Sequence, residues 1–246
     1  MSLIYNGHDF STLFVYGDPE ISILNAQPDT RDVSGRNGAA FIGMTYGVST
    51  VSFTIAALGD AETRRVALST LGQWLMVDEP KPLYLPDTPD RYYLAVPSGQ
   101  LDLTRGIKGE LSTVTFMLTD PVAYGDSQTA SLSSGGSASI NVNGTAPTYL
   151  NVVANSAVGE LETIDDEDVY TWGILADNSS HVNVLTGSSS ARKVEIYSEM
   201  RICKVANALK LPTLDSDWFV LQPGTHTIEM AYGTGAATLS WVERWY

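Results

Sequence analysis

The fold is decided by the run Val48-Ser49-Thr50-Val51-Ser52-Phe53-Thr54-Ile55 and by the segment that follows it. Small polar and apolar side chains alternate along this run, which is typical of a half-buried β-strand. Val51, Phe53 and Ile55 are predicted to face the interior. The strand therefore defines one sheet with a buried side and a solvent side.

A helix is predicted directly after this strand. Asp60 is a suitable N-cap, and Glu62 lies in the first turn, where the helix dipole favours an acidic side chain. Apolar residues then recur at helical spacing, namely Ala67, Leu68, Leu71, Trp74 and Leu75. Asp78-Glu79-Pro80 is predicted to end the helix, because proline cannot continue it. A single helix among strands must cover one face of a sheet, since no second helix can bury its apolar side.

The rest of the first half is predicted to consist of strands and turns. The expected strands are residues 3–5, 14–16, 21–24, 83–85, 92–96, 101–104 and 111–118. A turn is expected over residues 86–90. Residues 25–40 are polar and contain Pro28, Gly35 and Gly38, so they are predicted to form a long exposed loop. A loop of this length is uncommon in a compact domain unless it is functional or disordered.

A change in the pattern of the sequence after residue 125 predicts a second domain. Residues 125–139 are small and polar, which is typical of a linker or an exposed hairpin. The boundary is placed near residue 130, giving domains 1–130 and 131–246. Beyond it, short strands separated by turns predict an antiparallel β-sandwich without a helix. The expected strands are residues 140–142, 149–153, 169–175, 181–185, 192–197, 200–205, 218–221, 225–230 and 237–245.

The composition is that of a folded globular protein. The chain has 246 residues, of which 43% are hydrophobic and 17% charged. No apolar run is long enough for a membrane helix, and no secretory signal precedes residue 10. The single cysteine, Cys203, lies in an alternating segment and is predicted to be a core residue of a protein that folds in a reducing cytoplasm.

The formal net charge of -14 argues against tight binding to nucleic acid, which requires basic patches to neutralise phosphates. The charge favours solubility. It would also suit a surface past which DNA must slide without adhering.

Two acidic clusters are candidate sites. Asp165-Asp166-Glu167-Asp168, with Glu160 and Glu162 upstream, offers oxygen ligands of the kind that calcium takes. The spacing of an EF-hand is absent, so a solvated acidic loop is the preferred interpretation and calcium the alternative. Asp215 and Asp217 could be the paired carboxylates of a glycosidase, but aspartates before a strand more often form a turn.

No other pattern predicts chemistry. His8, His181 and His226 are separated in sequence, and no zinc, phosphate-loop or nucleophile-elbow motif is present. Gly233-Thr234-Gly235-Ala236-Ala237 is interpreted as a hairpin turn. The sequence therefore predicts no catalytic, cofactor-binding or metal-binding residue. Some aromatic residues could stack on a sugar, although most aromatics in strands are core residues; the candidates are Trp172, Trp218, Trp241, Trp245 and Tyr246.

Several motifs occur in the order found in siphophage distal tail proteins, and the resemblance covers nearly the whole chain. The N-terminal motifs are Leu3-Ile4-Tyr5-Asn6-Gly7, Gly35-Arg36-Asn37-Gly38, residues 48–55, Leu71-Gly72-Gln73-Trp74-Leu75, Pro82-Leu83-Tyr84-Leu85, Arg91-Tyr92-Tyr93-Leu94-Ala95 and Asp120-Pro121-Val122-Ala123-Tyr124. Residues 219–228 resemble the C-terminal signature of that family, with His226 where asparagine is frequent.

The resemblance implies a mainly-β protein with two domains. The first is a tail-tube-like β-barrel or sandwich with one packed helix, and the second is a galectin-like β-sandwich. It also allows the final strand to return to the first domain. It implies a homohexameric ring that joins the tail tube to the tip or baseplate, with a central channel for DNA. Assembly would occur in the bacterial host cytoplasm, for a phage or a prophage, and no catalytic residue is implied.

Two other functions remain open from the sequence. One is a carbohydrate-binding module for host recognition, working through residues 140–232. The other is an enzyme such as a glycosidase built on a β-sandwich. The residues expected to make ring or tube contacts are those of the long loop, 25–40, and its neighbouring strands.

Overall fold

The computed structural model describes residues 2–22, 25–35, 37–100, 104–105, 109–164, 167–177, 179–214 and 216–246. It divides into two compact units. One ends at Tyr124 and also takes in Tyr246, and the other comprises Gly125–Trp245. The predicted boundary, near residue 130, lies a few residues after this division and inside the strand Ala123–Leu132.

The first unit is an antiparallel sheet with one α-helix. Its elements are β1 (Ile4–Tyr5), β2 (His8–Asp9), a short 3-10 helix (Phe10–Thr12), β3 (Val15–Tyr16), β4 (Glu20–Ser22), β5 (Asn25–Asp32), β6 (Ala39–Gly47), β7 (Ser49–Leu58), α1 (Ala61–Leu75), β8 (Lys81–Leu85), β9 (Thr88–Ser98), β10 (Thr104–Arg105) and β11 (Gly109–Leu118). The strand order is β2-β1-β8-β9-β11-β7. The short strands β3 and β4 pair with β7, and β10 pairs with β11.

The core of this unit lies under α1 and along β7, as the alternation predicts. Val51, Phe53 and Ile55 are buried, with their polar neighbours on the other face. The ring of Phe53 stacks on that of Phe116 at 5.7 Å and meets Phe10 edge-on at 5.6 Å. These contacts place the solvent-facing side of β7 away from the core.

The helix begins as predicted, with the Asp60 carboxylate accepting a hydrogen bond from the Thr63 amide at 2.8 Å. It ends at Leu75, earlier than the predicted stop at residue 78. Met76 has extended backbone, and its amide closes the last turn on the carbonyl of Gly72. In the described part of the chain, no helix is long and apolar enough to cross a membrane.

Two loop predictions in the first unit are wrong. Most of residues 25–40 belong to β5 and β6, which form a β-hairpin; their polar composition reflects exposure on nearly every side. The predicted turn at 86–90 is shorter, because β9 already begins at Thr88. Residues 101–103 of the predicted strand 101–104 lie outside the described residues.

The second unit contains only strands among its described residues. They are β12 (Ala123–Leu132), which begins before the division, β13 (Ser137–Val142), β14 (Thr148–Tyr149), β15 (Asn151–Ala157), β16 (Glu160–Ile164), β17 (Glu167–Ala176), β18 (Ser180–Leu185), β19 (Arg192–Tyr197), β20 (Ile202–Val205), β21 (Ala208–Lys210), β22 (Val220–Leu221), β23 (Gly224–Tyr232) and β24 (Ala237–Trp245).

Two sheets enclose one core in this unit. One sheet has the order β12-β24-β15-β19-β20-β21, and the other has β13-β23-β17-β16 with β18 on β17. The small pair β14–β22 belongs to neither sheet but packs against β24, where the Thr148 hydroxyl donates to the Val242 carbonyl. Residues from both sheets bury each other, among them Val152, Trp172 and Leu239. The predictions of a mainly-β fold and of an antiparallel sandwich in the second half are confirmed.

Two turns in this unit connect different elements from those predicted. Residues 125–139 form neither a linker nor a hairpin, because they make up most of β12 and the start of β13, which belong to different sheets. In the tight turn between them the Gly136 amide donates to the Ser133 carbonyl. Residues 233–237 do not close a hairpin either. They carry the chain from β23 in one sheet to β24 in the other, and Thr234 bridges to Val158.

Candidate functional site

The β5–β6 hairpin is a direct extension of the sheet of the first unit. The pair Ser22↔Thr50 joins β4 to β7, and Asn25↔Gly47 joins β5 to β6 in the same register. Pairing between β7 and β11 ends at Ser49↔Leu118, so the two-stranded ribbon of β5 and β6 extends beyond the end of these sheet strands. We call residues 25–48 the arm. Eight residues of β5 correspond to a length of about 27 Å.

The arm has one apolar face and one polar face. Cross-strand pairing puts Ala26 opposite Tyr46 and Pro28 opposite Met44. Thr30 and Asp32 continue this face towards the turn, and its apolar members are Ala26, Pro28, Phe41, Ile42, Met44, Tyr46 and Val48. The five largest of these side chains are 45–64% exposed. The alternate positions carry Asn25, Gln27, Asp29 and Thr45, which makes the arm an amphipathic ribbon.

A β-bulge keeps the apolar face continuous. Asp29 pairs with Gly43 and Thr30 pairs with Phe41, which leaves Ile42 as an extra residue. The shift brings Phe41 to the same face as Ile42. Two adjacent large apolar side chains therefore project from the outer half of the arm.

A second apolar surface lies on the solvent side of the sheet in the first unit. Val15, Ala56 and Leu111 are direct neighbours across β3, β7 and β11, and Leu58 follows on the same face. Val15, Leu58 and Leu111 are 50–59% exposed. We call these four residues the outer patch. The unit therefore exposes two different apolar surfaces, the arm and the outer patch.

The three histidines occupy unrelated positions. The ring of His8 stacks on Trp74 at 4.8 Å, and His181 lies in β18. His226 lies near the start of β23, where Nδ1 is 2.5 Å from Asp177 Oδ2 and Nε2 is 2.6 Å from the Gln222 carbonyl oxygen. The contact joins the turn after β17 to the start of β23.

The Asp177 carboxylate is held by two donors. Partial burial raises its pKa, but hydrogen bonds from His226 and from the Thr227 amide (2.8 Å) outweigh that effect, and the net pKa is lowered. The pair therefore stabilises the folded state while the carboxylate is ionised.

The acidic and thiol candidates do not form a reactive site in the described residues. Asp165, Asp166 and Asp215 lie outside them, as do the side chains of Glu162, Glu167 and Asp168. Among the side chains that the structure describes, no group of three or more metal-ligating residues occurs. Cys203 is buried, as predicted, and burial raises the pKa of its thiol to about 12, so it remains protonated.

The aromatic candidates separate into core and surface residues. Trp172 and Trp241 are buried in the sandwich. Trp218 is half-buried and borders a cleft of about 460 Å³ in the second unit. The main side chains around this cleft are Tyr149, Glu199, Arg201, Asp217, Trp218 and Val220. They come from β14, the β19–β20 turn, β22 and the segment before it, so they are distant in sequence and no sequence motif indicates that they meet.

Two family models match this chain, and both describe domains of phage tail proteins. The model of the phage tail protein RIFT-related domain matches residues 8–117, and that of the siphovirus-type tail component C-terminal domain matches residues 143–245. A search of curated protein sequences finds no match. The two models match successive stretches that together make up most of the chain.

Solved structures show the same fold over the full length. The Dit protein of phage SPP1, described as a paradigm of the hub adsorption apparatus in phages that infect Gram-positive bacteria, is 18% identical with a TM-score of 0.79; the match covers 100% of this chain and 99% of that one. A chain of the phage p2 baseplate in its activated conformation with Sr is 10% identical with a TM-score of 0.53, covering 95% and 92%. The chain belongs to the siphophage distal tail protein family.

Proposed function

We propose that the chain is a structural protein of the phage tail, and that its copies form a ring that joins the tail tube to the tip or baseplate. The observation that carries this proposal is the pair of exposed apolar surfaces on the first unit. The family supports it, as does the similarity in fold to the SPP1 hub protein. The protein then works by self-assembly and binding, without catalysis.

The arm and the outer patch suit a head-to-tail contact. A ring needs two different complementary surfaces on each copy, because every interface joins one side of a subunit to the other side of its neighbour. We propose that the apolar face of the arm covers the outer patch of the next copy. Exposed apolar surfaces of this kind are uncommon on monomers and mark contacts with other proteins.

The two units have separate roles in this proposal. The first, residues 1–124, forms the ring and contacts the tail tube. The second, residues 125–245, is the β-sandwich that faces outward and meets the proteins of the tip or baseplate. Six copies make the ring, as the family resemblance implies.

The charge of the chain suits a channel. With a formal net charge of -14, a ring repels the phosphate backbone of DNA and limits its adhesion during ejection. Such a protein assembles in the cytoplasm of the bacterial host and remains in the virion as part of the tail.

The mass of the purified protein in solution tests the ring. Light scattering after size exclusion, across a concentration series, should give six times the chain mass of 26.5 kDa, and negative-stain images should show closed rings with a central hole. A mass that stays at 26.5 kDa at every concentration, with no rings, contradicts the proposal.

The alternative of a carbohydrate-binding module depends on one place. Of the five aromatic candidates, Trp172 and Trp241 are core residues, whereas Trp218 borders the cleft of the second unit. A host-recognition role is compatible with the ring, since the two functions use different units.

A further inference from the structure

We propose that the cleft beside Trp218 binds a neutral saccharide, with Trp218 and Tyr149 as stacking surfaces and Glu199, Asp217 and Arg201 as hydrogen-bonding groups. Its volume of about 460 Å³ lies in the range of small-ligand sites, which is roughly 300–1,000 Å³. This site does not depend on ring formation, because every group that carries it lies in the second unit.

Packing within the protein holds the two aromatic side chains of the cleft, Tyr149 and Trp218, in place without a ligand. Tyr149 is paired with Val220 through β14 and β22, and the guanidinium of Arg244 lies 5.2 Å from the centroid of its ring. Trp218 packs partly against the core and is followed by Phe219, which is completely buried. An aromatic ring with one side on the core and the rest towards a cleft presents an apolar face to the C–H groups of a sugar.

The polar groups of the cleft are available to a ligand. Within the part of the chain that the structure describes, the side chains of Glu199, Arg201 and Asp217 make no hydrogen bond or ion pair with protein groups. Two carboxylates accept from hydroxyl groups and one guanidinium donates to them. A sugar hydroxyl both donates and accepts, so it can satisfy both kinds of partner.

The charge of the cleft favours a neutral saccharide over other classes of ligand. Two carboxylates and one guanidinium make the cleft acidic, which disfavours phosphates, nucleotides and acidic sugars. The lining is mostly polar, which disfavours a purely apolar ligand. A neutral ligand with hydroxyl groups and one apolar face meets both conditions.

The loops that carry these groups are held by buried or half-buried serines. Ser198 Oγ donates to the Leu150 carbonyl, and Ser216 Oγ accepts from the Asn183 amide at 3.0 Å. These bonds limit the motion of the segments next to Glu199 and Asp217. Preorganised groups lose less freedom when a ligand binds, which favours affinity.

Calorimetric titration of the full chain with short oligosaccharides of glucose, galactose and N-acetylglucosamine tests the site. We expect saturable binding of at least one of these probes, accompanied by a change in tryptophan fluorescence. Trp218→Ala should weaken binding by about tenfold or more, whereas Trp218→Phe should retain much of it, since a ring remains. Glu199→Gln and Asp217→Asn should each weaken binding without altering the melting temperature.

The matched control is Asp87→Asn, which removes one exposed carboxylate from the β8–β9 turn of the first unit and should leave binding unchanged. Absence of binding by every probe overturns the proposal, as does binding that Trp218→Ala and Asp217→Asn both leave intact. The mass of each variant in solution is measured in parallel. Loss of the saccharide site while rings persist leaves the ring proposal standing, and loss of rings while binding is retained leaves the saccharide proposal standing.

Discussion

Replacing the two adjacent apolar side chains at the bulge of the arm is expected to disperse the ring and leave the fold intact. The double variant Phe41→Ser and Ile42→Ser changes residues that are 64% and 60% exposed. Neither belongs to the core of the first unit. The melting temperature should therefore change little, while the apolar contact with the next copy is lost.

The size of the effect follows from the area that becomes buried. Complete burial of a Phe or Ile side chain contributes about 1.5–3 kcal/mol, and roughly 60% of each remains to be buried here. The two side chains together then contribute about 3 kcal/mol to each interface. Because about 1.4 kcal/mol corresponds to a factor of ten, each interface should weaken by about 100-fold.

Light scattering after size exclusion measures this shift as a higher concentration for ring formation. The matched control is Gln27→Ser with Thr45→Ser, on the polar face of the same two strands, where both residues are also exposed. If the arm variant forms rings at the concentration that suffices for the unmodified chain, the apolar face of the arm is not the contact. An equal loss in the control would show that the arm acts through its strands and not through its apolar face.

Four further outcomes are expected. Val15→Ser with Leu111→Ser, on the outer patch, should also abolish rings, and an equimolar mixture with the arm variant should give dimers of twice 26.5 kDa, because one intact interface remains between the two variants. Asp177→Asn should lower the free energy of unfolding by roughly 0.5 kcal/mol near pH 7, because water screens a carboxylate that is 42% exposed, and the difference should shrink as pH falls below about 4, because the lowered pKa stabilises only while the carboxylate is ionised. Cys203 should react with a thiol reagent at pH 8 only after denaturant is added, because burial raises its pKa to about 12. Gly144→Ala should destabilise the second unit by about 1–3 kcal/mol in denaturant unfolding, because a Cβ would overlap a backbone carbonyl of β24.

The core of the first unit can be predicted because each signal there is local. Alternation fixes the buried face of β7, and a capping aspartate fixes the start of α1. Residues 25–40 carry no such signal. The alternation of large apolar and small residues begins only after them, in Ile42-Gly43-Met44-Thr45-Tyr46-Gly47, whereas β5 is mostly polar. The sequence therefore indicates the expected contact segment but not its structure.

The cleft can be predicted only in part. Trp218 and Asp217 both stand out in the sequence, one as a sugar-stacking candidate and the other as a turn residue. Tyr149, Glu199 and Arg201 carry no signal, because the pairing of β14 with β22 and the β19–β20 turn bring them to the cleft from separate segments. Convergence of this kind depends on tertiary structure, which local patterns do not report.

Ring formation would account for the exposed apolar face of the arm, and the arm in turn would stabilise the ring. A two-stranded ribbon without a core is marginally stable by itself, and its apolar face is unfavourable in water. Both costs disappear if the next copy covers that face, and in a closed ring every arm is covered at once. An interface of only a few kcal/mol then suffices, because each subunit is held on two sides. We therefore expect the backbone amides of the arm to become protected from hydrogen exchange at the concentration where rings form. Equal protection in monomer and ring would show that assembly does not stabilise the arm.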